Sequence, residues 1–135
     1  MKELMKTNIY DVDETIVVVG SCLSSVQPIA FKKLTEISKN IYEVCLEETH
    51  INMVITKIGG MIRTGKIKKI IFASVDKSPH CVQLHYIRNE LNKMMNLTNL
   101  SLINYVAVDN NLVEIDEKTL NLSKNLSEIA KIVKG

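Results

Sequence analysis

The stretch Thr15-Ile16-Val17-Val18-Val19-Gly20, "TIVVVG", decides the fold. Consecutive β-branched residues favour extended backbone, and an unbroken apolar run predicts a strand buried on both faces, as a parallel sheet requires. Gly20 ends the run. Ser24 and Ser25 then stand where a helix is capped, with Pro28 tolerated in its first turn. Val26, Ile29, Ala30, Leu34 and Ile37 follow at the helical period and predict one buried stripe.

Outward from that unit the pattern repeats. "IYEVCL", Ile41 to Leu46, is β-prone and reads as a short second strand. From Thr49, the residues Ile51, Val54, Ile55, Ile58 and Ile62 predict a helix closing at Thr64-Gly65. Gly59-Gly60 inside it costs on the order of 2 kcal/mol of helix propensity and marks either a close neighbour or a break. "IKKIIFASV", Ile67 to Val75, is a strand; Asp76-Lys77-Ser78-Pro79 then supplies a turn, an N-cap and a helix-starting proline. The helix that follows carries Val82, Leu84, Ile87 and Leu91. "LINYVAV", Leu102 to Val108, is a further strand, and after Asp109-Asn110-Asn111 the segment Leu112 to Ile115 pairs back as an antiparallel edge hairpin. A last amphipathic helix uses Leu122, Leu126, Ile129, Ala130, Ile132 and Val133. This alternation predicts one α/β domain over residues 1–135: a Rossmann-like three-layer sandwich with a mostly parallel sheet of roughly four to five strands.

Composition narrows the function. The 46% hydrophobic and 24% charged content is that of an ordinary soluble domain. A net charge of +2, scattered lysines and only two Phe and four Tyr do not favour nucleic-acid binding. The longest apolar run is far short of a membrane span, and Met1-Lys2-Glu3 opens no signal peptide. Three cysteines at wide spacing, Cys22, Cys45 and Cys81, argue against a disulfide framework and for a reducing cytoplasm.

Ligands of open α/β sheets bind outside the carboxyl ends of the strands. The expected topology delivers Cys22, Cys45 and Cys81 to that edge, together with Ser24, Ser25, Asp76, Ser78, His80 and Asp109. With Ser78 as cap, His80 and Cys81 fall in the first helical turn, where free N–H groups and the helix dipole favour anions and lower a thiol's pKa. His85, four residues on, shares a helical face with Cys81 at about 6 Å. The spacing suits an activated thiolate beside an imidazole, with Cys22 or Cys81 as nucleophile, or a soft metal held by Cys22, Cys81 and His85. There is no CxxC, no four-cysteine cluster pattern, no phosphate-loop glycine motif and no G-x-S-x-G elbow.

Two segments carry resemblances. "GSCLSSVQPIAFKKL", Gly20 to Leu34, resembles the cysteine loop of phosphotransferase-system IIB components and low-molecular-weight phosphatases, which implies a phosphoryl-carrying Cys22. It has no arginine to hold a phosphate bidentately, which removes the phosphatase version. "KIKKIIFASVDKSPHCVQLHY", Lys66 to Tyr86, is similar to a VDxSPHCxQLHY-like segment of small α/β proteins of anaerobic bacteria and archaea, some ferredoxin- or hydrogenase-associated. It also resembles the Cys/His segment of hydrogenase delta subunits, with His85 in place of the second cysteine. That likeness implies a redox- or metal-linked accessory role, with a metal ion or an iron–sulfur species shared with a redox-complex partner. The expectation is therefore a cytoplasmic protein binding a small anionic or metal-containing ligand at the carboxyl edge. A cysteine-nucleophile enzyme or phosphoryl carrier is the alternative. So is a non-catalytic module, a homodimer or complex subunit with His85, Tyr86 and Met95 at its interface.

Overall fold

Residues 16–19 expose no surface, so the strand they form is covered on both sides. In the computed structural model, which describes all 135 residues, the chain runs β1 (Lys2–Glu3), a 3₁₀ turn (Leu4–Lys6), β2 (Thr15–Gly20), α1 (Leu23–Val26), α2 (Pro28–Ile37), β3 (Ile41–Val44) and α3 (Ile51–Arg63). There follow β4 (Lys69–Val75), a 3₁₀ segment (Cys81–Tyr86), α4 (Ile87–Asn92), β5 (Ser101–Val108), β6 (Asn111–Ile115), α5 (Glu117–Ser123) and α6 (Leu126–Lys134). The strands form one six-stranded sheet in the order β1-β3-β2-β4-β5-β6, parallel throughout except for β5 against β6.

Alternation along β2 separates two cores. Ile16 and Val18, with Tyr42, Ile70 and Phe72, pack under Val54, Ile58 and Met61 of α3 and under Leu84, Ile87 and Leu91. Val17 and Val19, with Ile41, Ile71, Ala73 and Ala107, pack under Leu23, Ala30 and Leu34. Each such side chain, fully withdrawn from water, contributes about 1.5–3 kcal/mol. Gly59 and Gly60 stay inside an unbroken α3 and serve close approach: a Cβ on Gly59 would lie 3.3 Å from Leu91, and one on Gly60 3.3 Å from Ile9.

Local chemistry moved several expected features. The sheet gains β1, which at two residues is too short to leave a periodic signal. Ser24 and Ser25 do not cap the main helix but lie within the four-residue α1, where Ser25 Oγ donates to the Cys22 carbonyl at 3.0 Å. Gln27 leaves the helical region (φ −131°, ψ 66°) and Pro28 restarts the helix at its first position. That interruption rotates the register, so Ala30 and Leu34 are buried while Val26, Ile29 and Ile37 face solvent. The helix expected after Ser78 begins as 3₁₀ and becomes α-helical only at Ile87. The last helix is two, because Lys124 ends α5 and Asn125 Oδ1 accepts from Glu128 N–H to start α6. The hairpin turns as expected through Asp109 and Asn110, both at positive φ (50° and 63°), the geometry of a two-residue primed turn. No helix is long and apolar enough to cross a membrane.

Phe72→Ala, emptying a 1% exposed site at the sheet centre, is expected to cost about 3–5 kcal/mol of unfolding free energy. Ile132→Ala on the 65% exposed face of α6 is expected to change it by no more than about 0.5 kcal/mol. Urea denaturation of the two variants measures both.

Candidate functional site

From β2 the chain crosses to β3 on one side and later returns to β4 on the other, so β2 and β4 flank the sheet's topological switch point. Their carboxyl ends lead into Ser21-Cys22 and Val75-Asp76. Cys22 caps α1 and is half-buried; Cys81 opens the 3₁₀ segment and is buried. Their sulfurs lie 3.7 Å apart, both as free thiols. Gly20 makes this possible. A Cβ there would overlap Cys81 Sγ and lie 3.3 Å from Cys81 Cβ, so the sulfur occupies the volume a side chain on β2 would have taken. His80, not Ser78, holds the N-cap position, while Ser78 Oγ accepts from Cys81 N–H at 3.3 Å.

Cys22 is not an activated thiolate. Burial first, then the hydrogen bond with Cys81 and the charge that Cys81 would carry, push the Cys22 thiol up to about 11. Two adjacent sulfurs in a partly desolvated crevice cannot both ionise cheaply.

Nor does His85 join them. A 3₁₀ helix has three residues per turn, so positions four apart are rotated by roughly 120° instead of the roughly 40° of an α-helix. Cys81 therefore faces the β2 rim while His85 turns under the sheet. There Ser74 Oγ lies 2.6 Å from His85 Nε2, and His85 Nδ1 lies 2.9 Å from Asn104 Oδ1. Asn104 Oδ1 can only accept, so Nδ1 carries the proton and Nε2 accepts from the Ser74 hydroxyl. The connectivity is that of a serine hydrolase triad, but Ser74 is 1% exposed and His85 2%. The chain of bonds satisfies buried polar groups, each of which would cost about 1–3 kcal/mol unpaired. Desolvation lowers the His85 pKa from 6.5, partly offset by Asn104, so the ring is neutral. Tyr86 and Met95 are half-buried: Tyr86 Oη meets Ser123 Oγ at 2.6 Å at the surface, and Met95 packs in part on the core.

The remaining expected residues spread along the rim. His80 Nδ1 meets Glu47 Oε1 at 3.1 Å. Asp76 N–H donates to Ala107 O at 3.2 Å, leaving its side chain exposed. Asp109 lies in the hairpin turn, whose Asn110 N–H donates to Gln27 Oε1 at 2.6 Å, so that turn docks on the α1–α2 junction and not on the sulfurs. No group of three or more His, Cys, Asp or Glu is arranged to hold a metal ion. Sulfurs 3.7 Å apart fit one edge of a tetrahedral site with bonds of about 2.3 Å, but the chain supplies only that edge.

A cleft of about 470 Å³ opens at the ends of β1, β3 and β2, reaching Ser21 of the turn that carries Cys22. Ser21, Cys45, Glu3, Glu43, Glu48 and Lys6 are among its lining. Three carboxylates against one ammonium make it hostile to the anionic ligand expected here. Sequence reading missed this cleft because Glu3 belongs to a strand too short to detect. It also missed Ser74 and Asn104, although a polar residue inside each of the runs "IIFASV" and "LINYVAV" was the available signal.

Two measurements check this geometry. Gly20→Ala should cost about 1–3 kcal/mol by displacing Cys81, and the double variant with Cys81→Ala should recover most of it in a double-mutant cycle. Because His85 has a folded pKa below its unfolded 6.5, its contribution to stability is held above about pH 6.5 and lost as pH falls through the lower folded value. His85→Gln, which takes up no proton, should show a flatter fall in unfolding free energy over that range.

In nucleotide-binding sheets of this topology, phosphate rests on a glycine turn after the first long strand, at a helix start. Here the space at Gly20 is filled by Cys81 and the helix that follows is one turn long, so these residues do not fit a dinucleotide phosphate. No curated protein and no solved structure matches the chain. A family model described as a Rossmann-like domain matches residues 12–134. With the central parallel sheet, its two helical layers and the β2–β4 switch point all inside that span, the chain belongs to the Rossmann-like domain family.

Proposed function

We propose that the chain is a thiol redox accessory protein, in which Cys22 and Cys81 cycle between dithiol and disulfide and pass two electrons to a disulfide-bearing partner. The observation that carries this is the 3.7 Å contact between sulfurs of residues 59 positions apart, at the crevice where this fold places its ligands. Over the exchange the S–H bonds of Cys22 and Cys81 and the partner's S–S bond break. In the last step Cys81 attacks Cys22 and closes the intramolecular S–S bond, and the partner leaves as two thiols. Two S–H bonds and one S–S bond are exchanged for the same number, and the two electrons go to the partner.

The protonated state of Cys22 sets the direction. A strongly oxidising disulfide owes its potential to a stabilised thiolate in the reduced form; a Cys22 thiol pushed up to about 11 lacks that stabilisation, which favours the disulfide as product and the pair as a reductant. The same protonation makes the attack slow, which suits an accessory role in a reducing cytoplasm better than bulk turnover. A complex-subunit role is supported separately by α6, whose Leu126, Ile132 and Val133 are 75%, 65% and 78% exposed. That apolar face suits a redox-complex partner or a second copy.

Anaerobic equilibration of the reduced protein with dithiothreitol redox mixtures, followed by alkylation and peptide mass mapping, tests the proposal. The expected product is a Cys22–Cys81 disulfide, with Cys45 free at equilibrium and a midpoint at or below ~−270 mV. No intramolecular disulfide, or one that spares Cys81, would overturn it.

A further inference from the structure

We infer that Cys45 is the entry thiol of this redox site, and that the cleft around it selects small disulfides carrying positive charge. The inference rests on the thiol redox reading and names its substrate class. Cys45 and Ser21 line the cleft, Ser21 being the residue before Cys22; Cys22 and Cys81 do not line it. The sheet places them together: Gly20 pairs with Val44, and Ser21 N–H continues the ladder by donating to Val44 O at 3.0 Å. Cys45 thus follows β3 beside the turn that carries Cys22, and its charge is felt at the Cys22 thiol. The three thiols follow one another along the rim, Cys45 after β3, Cys22 after β2 and Cys81 after β4.

Cys22 and Cys45 are equally half-buried, so the cleft and not exposure assigns the order of reaction. Cys81 is buried, and Cys22 is held protonated against it, which makes it a poor first nucleophile. Cys45 lines a cleft of about 470 Å³, which admits a small molecule. There the Cys45 thiolate attacks R–S–S–R, breaking that bond; a Cys45–S–S–R bond forms and one RSH leaves with a proton. Cys22 attacks the Cys45 sulfur, expelling the second RSH. Cys81 attacks Cys22, closes the Cys22–Cys81 disulfide and returns Cys45 as a free thiol. One disulfide is reduced, two chain thiols are oxidised, and Cys45 is unchanged over the cycle.

The cleft's charge names R. Glu3 is neutralised by Lys6 at 3.0 Å, but Glu43 and Glu48 have no cationic partner, so the cleft presents two uncompensated carboxylates to whatever approaches Cys45. Ammonium groups on the substrate meet them; carboxylates on it are repelled.

The test is the rate at which the reduced, anaerobic protein reacts with cystamine (dicationic), bis(2-hydroxyethyl) disulfide (neutral) and dithiodiglycolate (dianionic). Each rate is divided by that for a neutral free thiol, N-acetylcysteine amide, and early adducts are located by acid-quenched peptide mass mapping. The first adduct is expected on Cys45, with normalised rates falling by about tenfold from cystamine to the neutral reagent and again to the dianion. Glu43→Gln with Glu48→Gln should level the series, as should about 0.5 M salt on the unaltered protein, which needs no variant to fold. Cys45→Ser should slow closure of the Cys22–Cys81 bond by cystamine about tenfold. A level series on the unaltered protein at low salt, or a first adduct on Cys22, overturns this inference while leaving the dithiol reading standing. Absence of a Cys22–Cys81 bond with every reagent overturns that reading instead.

Discussion

Burial of β2 on both faces is the constraint from which the rest follows. A strand with Ile16 and Val18 facing one core and Val17 and Val19 the other needs a helical layer on each side. Helical crossovers force its neighbours β3 and β4 to run parallel to it. Parallel strands end at the same edge, so every turn that follows one emerges there. Cys22, Cys45 and Cys81 are gathered by that rule and not by any motif in which they lie close in sequence. The adjacency of β2 and β4 then decides which two sulfurs touch.

Where the strands fall was legible because their signal is local: "TIVVVG", "KIIFASV" and "SLINYVAV" are long, β-branched and apolar. The convergence of Cys22 and Cys81 on one edge followed from topology and could be argued before any coordinates. What could not be read was backbone geometry that sequence period does not encode. Cys81 and His85 are four apart, and only an α-helix would stack them. The segment after Pro79 winds as 3₁₀ because its interior side is held by tertiary contacts: Leu84 under the sheet, His85 to Ser74 and Asn104, and Cys81 against Gly20. Those three needs sit on different sides of the segment, and tighter winding serves them together. Pro28 had a similar effect nearer the start, turning one expected helix into two and sending Ser24 and Ser25 away from the role of caps.

The same contacts divide the chemistry in two. Beneath the sheet, the His85 network is closed: donors and acceptors match, solvent is absent, and a neutral ring is the form that burial favours. Its work is to fix the 3₁₀ segment on β4 and β5. At the rim, the Cys22–Cys81 contact is open on one side and incomplete as a metal site. A histidine that looked like a ligand proves to be the anchor that holds a ligand-like sulfur in place.

Placing a thiol against another thiol, instead of against an imidazolium or a free helix start, also decides what kind of redox chemistry is available. Stabilising a thiolate speeds attack and raises the oxidising power of the disulfide. The Cys22–Cys81 contact does the reverse for Cys22, whose thiol is pushed up by burial and by its sulfur neighbour. In the proposed redox role, such a pair would gain as a reductant what it loses in speed. In that role speed would come from elsewhere on the rim, and the cleft beside β3 has what the inferred relay needs: room for a small molecule, two carboxylates without a cationic partner, and a third thiol, Cys45. In the inferred relay, separating the group that meets the substrate from the pair that stores the electrons would let each be set by its own surroundings, which a single adjacent pair cannot do.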